Sequence, residues 1–397
     1  MSDWTTIRLG SVIKTNTTSY SPKEGWEYVN YLDTGSITEN VIDAIQNIDL
    51  NKEKLPSRAK RKVQMNSILY STVRPNQKHF GIVKSVPENF LVSTGFAVID
   101  VIPEKIDADY LYFWLTQNSI VEQLHAIAEQ SVSAYPSIKA SDIENLEIAL
   151  PPLSIQKSIA SILKAISDKT SQNSSINENL EQQAQAYFHE LFIVNADPDW
   201  KLGTISNLGN VVGGSTPSKS KPEYYTEKGI AWITPKDLSI NKSKFVSRGE
   251  NDITELGLKN SSASIMPEGT VLFSSRAPIG YIAIASGEVT TNQGFKSVVP
   301  NPEIGTAFVY FFLKQNLPVI EGMASGSTFK EVSGSTMKNI PATIPDAETI
   351  KKFNEFCLPV FEQQRILEAQ NQSLVSLRDS LLPKLMSGEI DLSEIQF

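Results

Sequence analysis

Two kinds of hydrophobic pattern alternate along the chain. Short runs that are rich in β-branched and aromatic residues predict strands. These runs lie at positions 68–73, 96–101, 270–274 and 279–285. The apolar stretches 109–117 and 307–315 predict buried helices. A mixed α/β structure is therefore predicted for the regions that contain these runs.

Residues 151–195 and 344–390 carry a different pattern, in which apolar residues recur at alternating steps of three and four. Sustained over this length, the pattern predicts two long helices of the coiled-coil type. The first predicted seam consists of Ile155, Ile159, Ile162, Ile166, Ile176, Leu180, Tyr187 and Leu191, with Lys169, Asn173 and Gln183 at its remaining positions. The second consists of Phe353, Cys357, Val360, Leu367, Leu374 and Leu381, interrupted by Gln364, Asn371 and Arg378.

The chain also contains an ordered internal repeat with an offset of about 200 residues. Segment 65–75 (M-N-S-I-L-Y-S-T-V-R-P) is echoed by 266–278 (M-P-E-G-T-V-L-F-S-S-R-A-P). In the same order, Thr94-Gly95-Phe96 is echoed by Gln293-Gly294-Phe295. Because several matches keep one order and one offset, they indicate duplicated halves.

Duplicated domains that alternate with long helices define the predicted fold. We expect the α+β class, with two mixed α/β domains at opposite ends of a long antiparallel two-helix coiled coil and an approximate twofold symmetry. The first helix carries the chain from one domain to the other and the second carries it back, so the pair can only be antiparallel. The predicted boundaries are 1–150 for the first domain, 151–195 for the first helix, 196–343 for the second domain, 344–390 for the second helix and 391–397 for a C-terminal tail.

The overall charge argues against nucleic-acid binding, whereas the distribution of charge permits it. The 397 residues carry a formal net charge of −8, and phosphate contacts need local positive charge. Residues 52–62 supply such charge, because this run contains six cations and a single acid, Glu53. The cations are Lys52, Lys54, Arg58, Lys60, Arg61 and Lys62. This run is a candidate for phosphate contacts, although such runs are commonly solvated surface.

Cysteine content and hydropathy bear on the compartment. The single cysteine, Cys357, excludes an internal disulfide, suits a reducing cytoplasm, and is expected to lie buried in a helix seam. No stretch approaches the apolar length that crosses a bilayer, and the first residues lack the pattern of a signal peptide. We therefore expect a cytoplasmic protein without a membrane segment.

The sequence carries no recognisable catalytic or metal-binding constellation. An adenine methyltransferase should have an Asn-Pro-Pro-Tyr-like loop and a glycine-rich cofactor loop, and neither is present. The glycine-rich segment 211–215 does not match the spacing of a phosphate-binding loop. His79, His125 and His189 have no neighbours at metal-ligand spacing. No catalytic residue and no metal ligand is therefore predicted.

Four segments resemble a known family, the specificity subunits of type I restriction-modification systems. Residues 374–390 (L-V-S-L-R-D-S-L-L-P-K-L-M-S-G-E-I) resemble the closing segment of that family, and residues 150–156 (L-P-P-L-S-I-Q) resemble the entry to its first conserved helix. Residues 230–238 and 291–296 resemble motifs of its target recognition domains. The resemblance covers the whole chain, but residues 26–33 of the first domain lack the Thr-Pro pair of the second.

The resemblance implies a non-catalytic subunit that reads double-stranded DNA. In this family, the helices hold two modification (methyltransferase) subunits, and each recognition domain reads one half of a bipartite, gapped target. Restriction subunits, which act as a nuclease and translocase, complete the complex. No cofactor is then expected on this chain, because S-adenosylmethionine, ATP and magnesium would belong to the partner subunits.

Further candidate DNA contacts lie at the repeated strand ends and in the recognition-domain motif. Each strand end puts hydroxyls and a guanidinium at a turn, which suits phosphate contact or guanine readout. The candidates are Ser71, Thr72, Arg74 and Lys78 in the first domain, and Thr234, Lys236, Ser274, Ser275 and Arg276 in the second. A structural salt bridge is the alternative for each arginine, and core packing is expected for Tyr135 and Phe329.

Two other classes of protein stay open from the sequence. A coiled-coil scaffold with two globular ends would bind proteins without recognising DNA, and salt-sensitive DNA binding would distinguish it. A single-chain modification enzyme would need the methyltransferase motifs that are absent here.

Overall fold

The structure is a computed structural model that describes residues 4–131, 135–326, 330–390 and 392. It divides into two units, with the division between Thr170 and Ser171 on one long helix and between Gln372 and Ser373 on another. Each unit contains one mixed α/β domain together with the adjoining segments of both helices.

The first unit contains the strands β1 (Thr5–Arg8), β2 (Ile13–Thr15), β3 (Tyr28–Leu32), β4 (Ile37–Thr38), β5 (Val41–Ile42), β6 (Gln46–Asp49), β7 (Ala59–Arg61), β8 (Ile68–Ser71), β9 (Phe80–Ile82), β10 (Phe90–Ser93), β11 (Phe96–Val101) and β12 (Glu147–Leu150). Its own helices are α1 (Ala108–Leu115), α2 (Asn118–Glu129) and α3 (Ala140–Glu144). Two four-stranded sheets have the orders β6-β3-β10-β7 and β2-β11-β8-β9, and β1–β12 and β4–β5 form separate pairs.

Two long helices follow the domains along the chain. They are α4 (Leu153–His189), which continues as a π-helical turn at Glu190–Val194, and α11 (Ala347–Met386). In the first unit, Ile159 and Leu163 of α4 share a core with Leu382 and Leu385 of α11.

The second unit contains the strands β13 (Lys201–Thr204), β14 (Gly209–Gly213), β15 (Tyr225–Thr226), β16 (Ile230–Ile233), β17 (Phe245–Val246), β18 (Asn251–Ile253), β19 (Val271–Ser275), β20 (Ile279–Ala285), β21 (Thr290–Thr291), β22 (Lys296–Pro300) and β23 (Pro341–Ile344). Its short helices are α5 (Ile205–Leu208), α6 (Pro235–Ile240), α7 (Glu255–Lys259), α8 (Thr306–Gln315), α9 (Leu317–Gly322) and α10 (Gly334–Lys338). The sheet orders are β14-β22-β19-β20-β17, β15-β18-β16-β21 and β13-β23.

Within the second unit the segments of α4 and α11 run antiparallel. The side-chain amide of Asn173 donates to Oδ1 of Asn371 at 2.9 Å, and the amide of Gln364 donates to the carbonyl oxygen of Asn177 at 3.1 Å. Residue numbers therefore rise along one helix where they fall along the other. Hydrogen bonds between polar residues at these seam positions favour a defined register.

The two domains repeat one framework. The order β2-β11-β8-β9 of the first domain corresponds to β14-β22-β19-β20 of the second, and a parallel pair occurs in both, β3 with β10 and β16 with β21. In both copies the central strands are covered on both faces, because alternate side chains enter two different cores. The predicted internal duplication and mixed α/β class are confirmed.

The predicted seam is correct for α11 as far as Leu367, but Leu374 and Leu381 are only half-buried and Leu382 is buried instead. The predicted seam of α4 is likewise only partly correct. In α11 the predicted positions from Phe353 to Leu367 are buried, including Cys357 and Gln364. In α4 the buried positions shift by one residue beyond Asn173, so that Ala184 is buried whereas the predicted Gln183 is exposed. A seam of period 3.5 drifts by about 20° per heptad on a helix of period 3.6, and here the helix also faces the second domain.

A buried ion pair joins the second domain to its helix segments. Nζ of Lys244, just before β17, lies 2.7 Å from Oε2 of Glu181 on α4 and donates to the side chain of Gln364 on α11 at 2.9 Å. Glu181 also pairs with Lys314 and accepts from the hydroxyl of Tyr310 at 3.1 Å. Burial alone would raise the pKa of Glu181, but the two lysine charges outweigh it and lower the pKa to about 2.

Candidate nucleic-acid interface

In the first domain, several predicted contacts meet around the turn between β10 and β11. Strands β3 and β10 are parallel, so both end at the same edge of their sheet. The N–H of Thr94 donates to the carbonyl oxygen of Arg58 at 2.8 Å, and the guanidinium of Arg61 donates to the carbonyl oxygen of Thr94 at 3.5 Å. The N–H and the hydroxyl of Thr72 both donate to the carbonyl oxygen of Gly95, each at 2.8 Å. The structure therefore brings Arg58, Arg61 and Thr72 together.

Arg74 occupies an unusual position at the turn after β8. Its φ is 47°, in the left-handed region that non-glycine residues rarely adopt. Its N–H donates to the carbonyl oxygen of Pro136 at 2.9 Å, and its guanidinium carbon lies 5.3 Å from the ring centroid of Tyr135. Arg74 is exposed and has no carboxylate within 4 Å among the described residues. The alternative of an internal salt bridge is therefore not supported for Arg74.

Tyr135 contradicts the expectation of core packing, because 60% of it is exposed. Its ring instead faces the guanidinium of Arg74. The matching Phe329 lies outside the described residues. Tyr135 therefore lies at the surface beside an arginine and not in the core.

The other cations of the first domain have two different environments. Lys52 lies 2.8 Å from Asp49, Lys78 lies 3.0 Å from Glu39, and Lys62 pairs with Glu24 above the ring of Trp26. Lys54 and Lys60 are exposed, with no carboxylate within 4 Å in the described part of the chain. Together with Arg58, these two lysines can neutralise phosphates without first breaking an ion pair.

In the second domain, a polar cleft of about 490 Å³ opens where the parallel strands β16 and β21 end. Three predicted contacts, Thr234, Lys236 and Arg276, line this cleft. The side chain of Thr234 is engaged with Asp237 in the N-cap of α6, so its role is structural. Lys236 is exposed and pairs with Glu250 at 2.7 Å.

Arg276 projects from the end of β19 beside Glu331. Its guanidinium lies 3.5 Å from one carboxylate oxygen of Glu331, and Nζ of Lys296 lies 3.4 Å from the other. The carboxylate therefore stands between two cations. Arg276 therefore forms the salt bridge that was the alternative to DNA contact, although the pair of Arg276 and Glu331 is only half-buried.

The three predicted serine contacts are buried. The hydroxyl of Ser71 donates to the carbonyl oxygen of Val73, that of Ser274 to Pro278, and that of Ser275 to Gly294, at 2.9, 2.9 and 3.1 Å. All three residues are at most 2% exposed. Direct phosphate contact therefore does not fit these serines, which instead hold the turns in shape.

The hydrogen bonds of the two turns correct the predicted equivalence of Arg74 and Arg276. Ser275 donates through its N–H and its hydroxyl to Gly294, as Thr72 does to Gly95, so these two residues correspond. Counting onward, Val73 corresponds to Arg276, and Arg74 corresponds to Ala277. The φ angles agree, since Ala277 has 51° where Arg74 has 47°. The two arginines are thus displaced by one residue.

Sequence reasoning missed several residues at these edges. Asn292 and Gln293 line the second cleft, and the hydroxyl of Thr216 donates to the side chain of Gln293. Asn292 and Gln293 belong to the T-N-Q-G-F segment, whose resemblance to a family motif does not by itself show which of its residues make contacts. Nothing in the sequence pattern pointed to Glu331.

The described residues also bear on metal binding and on membrane insertion. Among the described residues, no three His, Cys, Asp or Glu side chains lie together in a way that could hold a metal ion. No described helix has the length and apolar character needed to cross a membrane.

Comparison with known proteins identifies the family. The family model described as the type I restriction modification DNA specificity domain matches residues 1–182 and 198–374. The chain therefore belongs to this family, as its sequence motifs predicted.

Individual relatives agree with this assignment. The type I restriction enzyme HindI specificity subunit of Haemophilus influenzae is 25% identical, over 98% of this chain and 100% of the relative. The MjaIX specificity subunit of Methanocaldococcus jannaschii is 41% identical over 42% of this chain and 38% of its own. The crystal structure of a type I S subunit from M. genitalium has the same fold, with a TM-score of 0.58 at 17% identity over 96% of each chain.

Proposed function

We propose that the chain gives a type I restriction-modification complex its sequence specificity, with each domain reading one half of a bipartite, gapped DNA target. The observation that carries this proposal is the repeated framework with different exposed residues at the same edge. Arg58 and Arg74 stand at that edge in the first domain, whereas Lys236, Arg276 and Gln293 line the cleft in the second. Guanidinium, ammonium and amide groups are those that contact phosphates and major-groove base edges.

The chain itself is non-catalytic in this proposal, and the chemistry resides in partner subunits. Two modification subunits dock on the outer faces of α4 and α11, and restriction subunits join them. Large apolar side chains exposed on these helices support such docking; they are Ile176, Phe356, Leu358, Ile366, Val375 and Leu377, of which Leu358 is 73% exposed. S-adenosylmethionine, ATP and magnesium are bound by the partners.

The helices also set the gap between the two half-sites. Helices of 37 and 40 residues are each roughly 55–60 Å long at about 1.5 Å per residue. This length is ample for half-sites that lie one helical turn of DNA apart, about 34 Å.

Methylation mapping tests the proposed function directly. The chain is expressed with its modification subunits in cells that lack other adenine methylation, and methylated adenines are mapped genome-wide. We expect one bipartite motif with a constant gap and one methylated adenine in each half. The chain expressed alone should produce no methylation.

A binding experiment separates the proposal from the scaffold class. The assembled complex should bind DNA that contains the mapped motif with an affinity that falls steeply as salt rises. A complex that assembles but shows no salt-sensitive DNA binding would support a protein scaffold instead. Native mass should give two modification subunits per chain, and saturation at one would contradict the symmetric docking.

A further inference from the structure

We infer that Arg74 reads a guanine in the first half-site, from a turn position that carries no polar side chain in the second domain. This inference rests on the proposed function and names a residue that determines specificity. It is built on three observations: the backbone that holds Arg74, the ring on which its guanidinium lies, and the different residues at the same turn of the second domain.

The backbone of Arg74 is held from both sides. Its N–H donates to Pro136 and its carbonyl oxygen accepts from the N–H of Gln77, each at 2.9 Å. The N–H of Ile138 donates to the carbonyl oxygen of Thr72 at 2.8 Å and closes the same turn. A left-handed arginine is unfavourable by itself, so the surrounding hydrogen bonds impose this conformation. These hydrogen bonds hold the exposed side chain of Arg74 at the end of the sheet that contains β8.

The guanidinium of Arg74 is oriented by a neighbouring ring. Tyr135 lies 5.3 Å from it and covers part of the planar group, and no described carboxylate within 4 Å competes for its N–H donors. A planar fork that is held against a ring matches the two acceptors of guanine, O6 and N7. A phosphate also accepts two N–H groups from such a fork, but the exposed Lys54, Arg58 and Lys60 of the same domain can supply the phosphate contacts.

The second domain has a different arrangement at the same turn. Ala277 occupies the left-handed position, and Arg276 precedes it with Glu331 as its partner. The N–H of Val332 donates to Ser275 as that of Ile138 donates to Thr72, so Glu331 corresponds to Ser137. The arginine and its cross-strand partner have therefore changed together. The two domains accordingly contact their half-sites from positions one residue apart.

The test uses Arg74→Asn and Arg74→Lys in the complete complex with modification subunits. Asparagine tolerates the left-handed conformation, so Arg74→Asn should keep or raise the melting temperature while removing the guanidinium. Lysine keeps the charge without the fork. Lys60→Ala is the matched control, because it removes an exposed cation of the same domain that has no proposed base contact.

Binding and methylation are measured on duplexes in which each base pair of both half-sites is varied in turn. We expect the unsubstituted complex to prefer guanine at one position of the first half-site. Arg74→Asn should reduce that preference by about 5- to 150-fold and leave the second half-site unchanged. Arg74→Lys should keep most of the affinity and lose much of the same preference. Lys60→Ala should weaken binding equally for all sequences.

Three results would overturn the inference. A uniform loss of affinity in Arg74→Asn, without a change at any base pair, would make Arg74 a phosphate contact. A changed base preference in the second half-site would mean that Arg74 contacts the half-site assigned to the second domain. A lower melting temperature for both variants with unchanged base preference would make the residue structural. By contrast, an unsubstituted complex without any sequence preference would contradict the proposed function itself.

Discussion

The buried pair of Glu181 and Lys244 should contribute strongly to the stability of the second unit, and Glu181→Gln tests this. The pKa of Glu181 is lowered from 4.5 to about 2, which corresponds to about 3 kcal/mol of stabilisation at neutral pH. Removing one partner of a buried ion pair typically costs about 3–5 kcal/mol, because the other charge is left uncompensated. The lower end of this range agrees with the value from the pKa shift, so we expect a loss of about 3 kcal/mol. A domain of this size then loses about 6–12 °C in melting temperature.

The pH dependence has a defined sign. Because the folded pKa of Glu181 lies below the unfolded value, its stabilisation is complete above pH 4.5 and is lost as the pH falls towards 2. The difference in unfolding free energy between the original chain and Glu181→Gln should therefore shrink over this range. Burial lowers the pKa of Lys244 to about 8, and Glu181 partly offsets this effect. Without Glu181 the pKa of Lys244 falls further, so the variant should gain stability as the pH rises towards 10.5.

Hydrogen exchange followed by mass spectrometry resolves the effect by region. Peptides that cover β17 and α8 should exchange faster in Glu181→Gln at pH 7, whereas those of the first domain should not change. Glu178→Gln, an exposed position one turn earlier on α4, serves as the control and should have little effect. If Glu181→Gln unfolds within about 0.5 kcal/mol of the original chain at pH 7, the pair does not stabilise the unit.

Three further predictions concern charge, the thiol and helix length. Alanine at Lys54, Arg58 and Lys60 should lower the slope of log affinity against log salt by up to about 3; an unchanged slope would make these cations ordinary solvated surface. Cys357, which is buried and whose pKa burial raises to about 12, should react with thiol reagents only as the chain unfolds, and rapid native labelling would contradict its placement. One heptad inserted between Asn173 and Asn177 and another between Gln364 and Asn371 should add about 10 Å, or up to about three base pairs, to the methylated gap. An unchanged gap with full activity would mean that the helices do not set it.

The strands were predictable from sequence because both faces of the central strands are buried. The runs 96–101, which is apolar apart from Asp100, and 279–285 coincide with β11 and β20. Within the run 68–73, the strand β8 ends at Ser71, because the hydroxyl of Ser71 donates to a carbonyl oxygen of the following turn. Periodicity also identified both long helices. It could not locate the shift beyond Asn173, because that depends on which face of α4 the second domain covers.

Most site residues could be proposed from the sequence, but the ion pairing and exposure of these residues could not be predicted from it. A basic run does not reveal that Lys62 is paired with Glu24 while Lys60 is unpaired among the described residues. Nor does a Ser-Ala-Tyr context reveal that Tyr135 is exposed. The displacement of the two arginines was already present in S-T-V-R-P against S-S-R-A-P. The displacement becomes clear when the two turns are aligned by their hydrogen bonds and not by residue type.

The two turns also show which changes the repeated framework tolerates. Ser71 and Ser274 are both buried serines, and Gly95 and Gly294 accept the same pair of hydrogen bonds, so these positions maintain the turn. The positions that differ, Arg74 against Ala277 and Val73 against Arg276, lie beyond that buried framework. Arg74 and Ala277 are exposed and Val73 and Arg276 are half-buried, so a change there alters the groups presented at the edge without replacing a buried residue of the turn. One fold can therefore present two different sets of contacts, which is what a protein that reads two different half-sites requires.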